Sequence, residues 1–296
     1  MDMPTEHKPE RLAFVGFGEA ATAFLDGWAD GRPAHVAAFD LKTEDPLTAA
    51  GMRARYAAHR VHDAGTLAGT LDGVTAVFSV VTADQALEAA RAAAPHVPPG
   101  CIWFDCNSCA PDTKRQAAGI IDGAGGRYVD VAVMAPVHPK RHLVPLLVAG
   151  PHAAEGVALL ESLGMRPKPV GDAVGAASSI KMIRSVMIKG MEALTAECFL
   201  AARRAGVEEA VIASLEASDP GVDWRGRGAY NLERMLVHGT RRAAEMREVA
   251  ATVAALGLSD GMSRATAEWQ AALSRRGVEA GEPDLIARID RALSAL

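Results

Sequence analysis

The chain is poor in aromatic residues, which make up 5% of its 296 positions, and in cysteine, of which it has four. Four cysteines in a chain of this length do not make a disulfide scaffold, so they are expected as reduced thiols. Positive charge is also short: 31 Lys and Arg against 36 Asp and Glu leave a formal net charge of −5. Nucleic-acid binders need a cationic field to release counterions, which excludes nucleic acid as an expected partner. Apolar runs such as Val74 to Ala83 stop well short of the roughly 18 residues a membrane helix needs. The amino-terminal Met1-Asp-Met-Pro-Thr-Glu-His-Lys8 lacks the apolar core of a signal peptide. No repeat and no low-complexity tract stands out beyond a general richness in alanine. A cytoplasmic protein with no membrane partner is the expectation.

What is present is enough apolar sequence, 49% hydrophobic against 23% charged, for one large domain or two ordinary ones. After residues 1–10, expected as a flexible tail, short runs rich in Val, Ile, Phe and Ala alternate with longer Ala-rich stretches. The runs Leu12–Gly16, His35–Asp40, Val74–Val81, Cys101–Asp105, Tyr128–Val133 and Leu146–Gly150 read as buried parallel strands with helices between them. Beyond the Pro/Gly-rich segment 164–171 the β-branched runs stop, and 178–205, 230–256 and 262–274 carry helical periodicity. The expected fold is α/β: a Rossmann doubly wound parallel sheet over 1–170, then an all-α domain over 171–296.

Chemistry enters with Gly16-Phe17-Gly18-Glu19-Ala20-Ala21, a Gly-x-Gly-x-x-Ala string that closes a strand and opens a helix. Gly16 permits the tight turn, Gly18 lets a pyrophosphate approach the backbone, and the helix start offers N–H groups and a positive dipole end. A glycine-rich turn without a ligand is the competing reading. Asp40 ends the next strand, 22 residues beyond Gly18, where a carboxylate can accept both ribose hydroxyls of an adenosine. That spacing favours a dinucleotide. An aspartate there repels a 2′-phosphate, so NAD is preferred, while Lys42, Arg53 and Arg55 keep NADP open.

With these motifs the chain resembles the β-hydroxyacid dehydrogenase superfamily, which includes 3-hydroxyisobutyrate and 6-phosphogluconate dehydrogenases, over most of its length. Its carboxy-terminal half looks closest to a phosphogluconate-dehydrogenase-like NAD-binding branch. The segment Gly171-Asp-Ala-Val-Gly175-Ala-Ala-Ser-Ser-Ile-Lys181-Met-Ile-Arg184-Ser185 resembles the start of the family's long helix, with Lys181 at the catalytic lysine. Ser185 stands where the family usually has Asn, and Ile188 where the 6-phosphogluconate enzymes place an acid, which argues against oxidative decarboxylation. The resemblance also puts Val81 and Thr82 against the cofactor ribose, and Asn107 and Ser108, in Asp105-Cys-Asn-Ser-Cys-Ala-Pro111, near nicotinamide. Ser108 as a simple helix cap is the alternative. His138 and Pro139 replace the Ser-Gly donors of the family's substrate loop, so a backbone cradle there must be rebuilt. A plain turn histidine is the alternative for His138.

Apart from family, a lysine opening a long amphipathic stretch can lose water, which lowers its pKa and lets a neutral amine act as a base; a solvated surface lysine is the bland reading. Positions 181, 184, 185, 188 and 192 fall near one helical face, so Arg184, whose planar fork suits a carboxylate, and Ser185 are candidate substrate ligands. In the helical half His238, Arg242 and Glu245 share a face, as substrate ligands, a salt-bridged surface or an oligomer contact. Related enzymes dimerise through this domain, which implies a homodimer. The three cysteines at 101, 106 and 109 lack a matching Cys/His pair for a metal. The expected function is hydride transfer between NAD(P) and a small, anionic hydroxy acid or its carbonyl, with Lys181 as general acid and base. An imine reductase-like enzyme and a non-catalytic dinucleotide sensor are the alternatives.

Overall fold

The computed structural model describes residues 9–296. Residues 1–8 of the expected tail lie outside them, whereas the Glu10 carbonyl already accepts the His35 N–H at 3.1 Å and so belongs to the fold.

Eight strands form one sheet: β1 (Arg11–Val15), β2 (His35–Phe39), β3 (His62–Asp63), β4 (Ala76–Ser79), β5 (Ile102–Asp105), β6 (Arg127–Val133), β7 (Pro145–Ala149) and β8 (Arg166–Gly171). Their spatial order is β3-β2-β1-β4-β5-β6-β7-β8. The helices between them are α1 (Glu19–Trp28), α2 (Ala49–Ala58), α3 (Leu67–Leu71), α4 (Ala86–Ala93), α5 (Pro111–Gly123) and α6 (Ala153–Ser162). All neighbouring strands are parallel except β6 and β7. This corrects the expectation of a parallel strand at 146–150. Only eleven residues, 134–144, join β6 to β7, too few for the helical crossover of a dozen or more that a parallel return requires.

The six apolar runs each contain a strand, and two strands escape them. β3 is two residues long, and β8 is Arg-Pro-Lys-Pro-Val-Gly, an edge strand whose prolines need no ladder partner on the open side. Six of the few aromatic residues form one cluster. Phe14, Phe17, Phe24, Trp28, Phe78 and Phe104 interlock with ring centroids 4.8–6.3 Å apart on one face of the sheet. The other face packs Val15, Val77, Trp103 and Tyr128 against Ala90, Ala117 and Ile121.

The chain divides into two compact units between Lys181 and Met182, inside α7 (Ala176–Ala205). The division falls beyond the expected boundary near 170, with β8 and the first turn of α7 in the unit that holds the sheet. The second unit is helical throughout, with α8 (Glu208–Ser218), α9 (Trp224–Ala255), α10 (Gly261–Ser274) and α11 (Leu285–Ala295) around Phe199, Leu232, Met235, Leu273 and Ile289. α9 and α10 approach so closely at Gly239 that a Cβ there would meet the Gln270 carbonyl oxygen and lie 2.8 Å from Ser274 Cβ.

Gly239→Ala is therefore expected to destabilise the protein by about 1–3 kcal/mol, the usual cost of overpacking. Gly119→Ala on the exposed side of α5, where a Cβ meets nothing within 4 Å, should instead stabilise slightly. Urea unfolding of the two variants beside the wild type checks both signs.

Candidate functional site

The six strands β1 to β6 all deliver their carboxyl ends to one edge, and the strand order reverses between β2 and β4 on either side of β1. That reversal opens the crevice in which open α/β sheets bind ligands. Gly16, Asp40, the loop 80–82 and the loop 106–110 follow β1, β2, β4 and β5 at this edge.

Gly16 has φ +86°, and a Cβ on it would lie 2.8 Å from Val81 Cγ1 and 2.9 Å from the Val80 carbonyl oxygen. Glycine is required there on both grounds. At Gly18, the residue before α1, a Cβ would meet nothing within 4 Å and no side chain caps the helix. The first turn of α1 thus keeps open space and uncapped amide groups, which fits a phosphate. Phe17 and Ala21, expected to touch a cofactor, have fully buried side chains packed in the aromatic core. The Phe17 N–H is taken by Asp40 Oδ2 at 2.8 Å, so Phe17 anchors the turn. Ala20 is half-buried against the same core and Glu19 is exposed.

Asp40 is half-buried, and its second oxygen accepts the Lys42 N–H at 3.0 Å. Each oxygen thus holds one backbone amide and keeps a second acceptor site. Of the cations expected to favour a 2′-phosphate, Arg53 pairs with Asp63 at 3.3 Å and Arg55 reaches the Phe17 carbonyl at 3.4 Å. Val81 is half-buried and Thr82 exposed.

After β5 the Asn107 amide donates through Nδ2 to Ser79 Oγ at 2.9 Å, and its buried Oδ1 accepts no hydrogen bond among the described residues. Beside it Ser108 Oγ accepts from Lys181 Nζ at 2.6 Å. Two residues 73 positions apart are thus in contact, while the N-cap of α5 is Ala110, with no side-chain cap hydrogen bond.

Beneath this pair lies a group that sequence reasoning missed. Lys114 is wholly buried; its Nζ donates to the Asp105 carbonyl at 2.5 Å and Asp105 Oδ1 at 2.9 Å, and lies 3.5 Å from Asp130 Oδ1. Asp105 and Asp130 are register partners on β5 and β6. Tyr128 donates its hydroxyl to Asp105 Oδ2 at 2.7 Å, and the Asn107 N–H donates to Asp105 Oδ1 at 2.9 Å. Asp130 Oδ2 accepts from Gly175 N–H, Ser178 N–H and Ser178 Oγ at 3.0–3.2 Å, closing the start of α7. Burial alone would lower the Lys114 pKa, but the carboxylates around it outweigh that and hold it above the usual lysine value. Burial, and then the Asp105 charge, push the Tyr128 phenol well above its usual value. Cys106, nearby, is pushed up to about 12 by burial, so it is no nucleophile. A signal for Lys114 did exist: Pro111, Lys114, Ala118 and Ile121 mark the buried stripe of α5, with a lysine where an apolar residue belongs.

The expected substrate residues are distributed otherwise. His138 is exposed in the 134–144 loop, joined to Pro139 by a cis peptide bond. Arg184 is exposed and Ser185 is buried. His238 is half-buried on α9. Arg242 is not available as a substrate ligand: it is buried and forms a two-pronged ion pair with Glu192, which also accepts from Gln270 Nε2 at 2.8 Å. Glu245 accepts from Lys189 at 2.6 Å and Arg241 at 2.8 Å. The stripe read as solvated or ligand-facing is turned inward within the helical unit.

Residues 202–273 match the family described as Domain of unknown function (DUF1932). A conserved hypothetical protein from Sinorhizobium meliloti 1021 is 40% identical, with 97% of this chain and 96% of that one covered at a TM-score of 0.72. A conserved protein of unknown function, described as structurally similar to 3-hydroxyacid dehydrogenases, is 31% identical over 90% of this chain and 98% of its own, at a TM-score of 0.64. The chain belongs to this family of 3-hydroxyacid dehydrogenase-like proteins with a DUF1932 region. An uncharacterized 28.5 kDa protein from Methanothermus fervidus is 28% identical over 173 residues, a stretch spanning 65% of that curated relative's length. The fold alone extends to a 3-hydroxyisobutyrate dehydrogenase of Mycobacterium tuberculosis, 16% identical over 95% of this chain and 98% of that one, at a TM-score of 0.69.

Because Arg242 neutralises a buried carboxylate, Arg242→Met should cost about 3–5 kcal/mol in urea unfolding, the penalty for stranding one buried charge. Adding Glu192→Gln should recover most of that loss. An Arg242→Met protein as stable as wild type would return the arginine to the list of ligand candidates.

Proposed function

We propose that the protein is an NAD(P)-dependent oxidoreductase that interconverts a small, anionic hydroxy acid and its carbonyl, with Lys181 as general acid and base. The observation that carries the reading is the 2.6 Å hydrogen bond from Lys181 Nζ to Ser108 Oγ, at the same strand-end edge as the Gly16–Gly18 turn. Related folds also support it, since proteins at 16–19% identity include two described as 3-hydroxyisobutyrate dehydrogenases.

The residues fit a dinucleotide. The Gly16–Gly18 turn and uncapped α1 would hold the pyrophosphate, Asp40 the adenosine ribose, and the unsatisfied Asn107 Oδ1 a carboxamide N–H. A bound nicotinamide supplies the hydride acceptor or donor. Lys181 as a neutral amine takes the alcohol's hydroxyl proton, and the ammonium so formed is held by Ser108 Oγ. In the reverse direction the same ammonium returns the proton to the carbonyl oxygen. Ser108, accepting from Lys181, can donate its own O–H to that oxygen. Arg184, three residues beyond Lys181, is exposed and has the planar fork that would bind a substrate carboxylate.

Asp40 makes NAD the preferred cofactor. Asp40→Asn removes the charge that repels a 2′-phosphate, so titrations should show the ratio of NADP to NAD dissociation constants falling by at least about tenfold. An unchanged ratio would show that Asp40 does not set the preference, and equal affinity or an NADP preference unaffected by the substitution would show that Lys42 or another cation dominates.

Lys181→Met keeps an unbranched, helix-compatible side chain without the amine. Folding and NADH binding should persist while turnover of the best three- to six-carbon hydroxy acid falls by at least about 10²-fold, the lower range for a positioned proton-transfer group. Near-normal turnover by the folded variant would remove Lys181 from the chemistry.

A further inference from the structure

We infer that Lys114 is the positioning residue of the Ser108–Lys181 pair, acting through Asp105 and Asp130 from a place that neither substrate nor cofactor reaches. The inference rests on the reading of Lys181 as the group that moves the proton.

The argument begins with two carboxylates. Asp105 and Asp130 are directly opposed on neighbouring parallel strands and are 1% and 0% exposed. Like charges so placed repel, and neither has water to dilute the repulsion. The Lys114 ammonium, 0% exposed, is the cation that contacts both.

Each carboxylate holds one half of the site. Asp105 takes the Asn107 N–H and so fixes the turn that presents Asn107 and Ser108. Asp130 takes the N–H groups of Gly175 and Ser178 and the Ser178 hydroxyl, which fixes the start of the helix whose next turn carries Lys181. A carboxylate at a helix amino terminus is also favoured by the helix dipole. One buried cation thus sets the donor and the acceptor of the 2.6 Å contact from two different chain segments. Without it the carboxylates separate or one takes up a proton, and a neutral carboxyl offers fewer acceptor sites to these amides.

The test needs no substrate. Wild type and Lys114→Met, both well below their unfolding temperatures, are labelled with trace acetic anhydride, and the acetylation rate of Lys181 is divided by that of the exposed Lys168 by mass spectrometry. Loss of the Ser108 contact should raise the Lys181:Lys168 ratio roughly tenfold, the equivalent of one charge-assisted hydrogen bond. Lys114→Met with Asp105→Asn, which removes the surplus negative charge, should bring the ratio at least halfway back on a logarithmic scale. A merely structural role would lower the unfolding temperature and leave the ratio alone. Should the single variant not fold, the double variant is compared with Asp105→Asn alone; a lower ratio in the double variant, or equal ratios, overturns the inference, and a higher one supports it. A folded Lys114→Met protein with the wild-type ratio overturns it as well. Because the ratio is read without turnover, a wild type inactive on every hydroxy acid would defeat the proposed reaction while the positioning result stood or fell separately.

Discussion

Two aspartates face each other across neighbouring strands in a place water does not reach, and one lysine keeps them there. Replacing such a buried ionic group by well-packed apolar side chains is often neutral or stabilising, so stability alone gives no reason for the Lys114–Asp105–Asp130 group. What it supplies is direction. Besides Lys114, both carboxylates accept backbone amides of segments that carry function-bearing side chains, Asp105 on Oδ1 and Asp130 on Oδ2, and amides cannot be aimed by apolar packing. Tyr128 adds a fourth side chain, its hydroxyl on Asp105 and its ring in the apolar layer under the sheet.

The same economy governs the dinucleotide end of the edge. Asp40 joins the turn after β1 to the turn after β2 by accepting one amide from each, so the glycine loop is held before any ligand arrives. A ribose would then meet a carboxylate already oriented, which lowers the ordering cost of binding. Phe17 has its amide on Asp40 and its ring against Phe14 and Tyr56, and so ties the loop to the aromatic core.

Much of this was legible in the sequence because it is local. The Gly16-to-Ala21 string, Asp40 at the next strand end, and the Ser108 and Lys181 motifs each announce themselves within a few residues. The alternation of apolar runs with Ala-rich stretches was enough for a sheet followed by helices. The antiparallel β7 was not legible, since an apolar run carries no direction; the short 134–144 connection held that information. Nor was the fate of Arg242, because a helix-face pattern says which residues lie together and leaves open whether the face turns inward. Lys114 and Asp130 were visible as violations, a lysine on the buried stripe of α5 and an aspartate amid Tyr-Val-Val-Ala-Val in β6. Each looks like a local fault until the fold sets one against the other.

The two buried lysines show what such groups can be used for. Lys114 is contacted by two carboxylates and a backbone carbonyl, and its pKa is raised. Lys189 is contacted by Glu245 with Arg242 close by; there burial outweighs the carboxylates and the pKa is lowered. The difference is one of charge balance. Lys189, Arg241 and Arg242 face Glu192 and Glu245, so the carboxylates of this cluster are not in surplus and their ion-pair partners come from within the helical unit. Asp105 and Asp130 outnumber Lys114, and the surplus negative charge is met by the helix start at 175–178 and the Asn107 turn. A cluster whose carboxylates are fully matched by cations can serve as a clasp among α7, α9 and α10. One with a surplus carboxylate must reach into its surroundings, and here those surroundings are the two segments that bring Ser108 and Lys181 together.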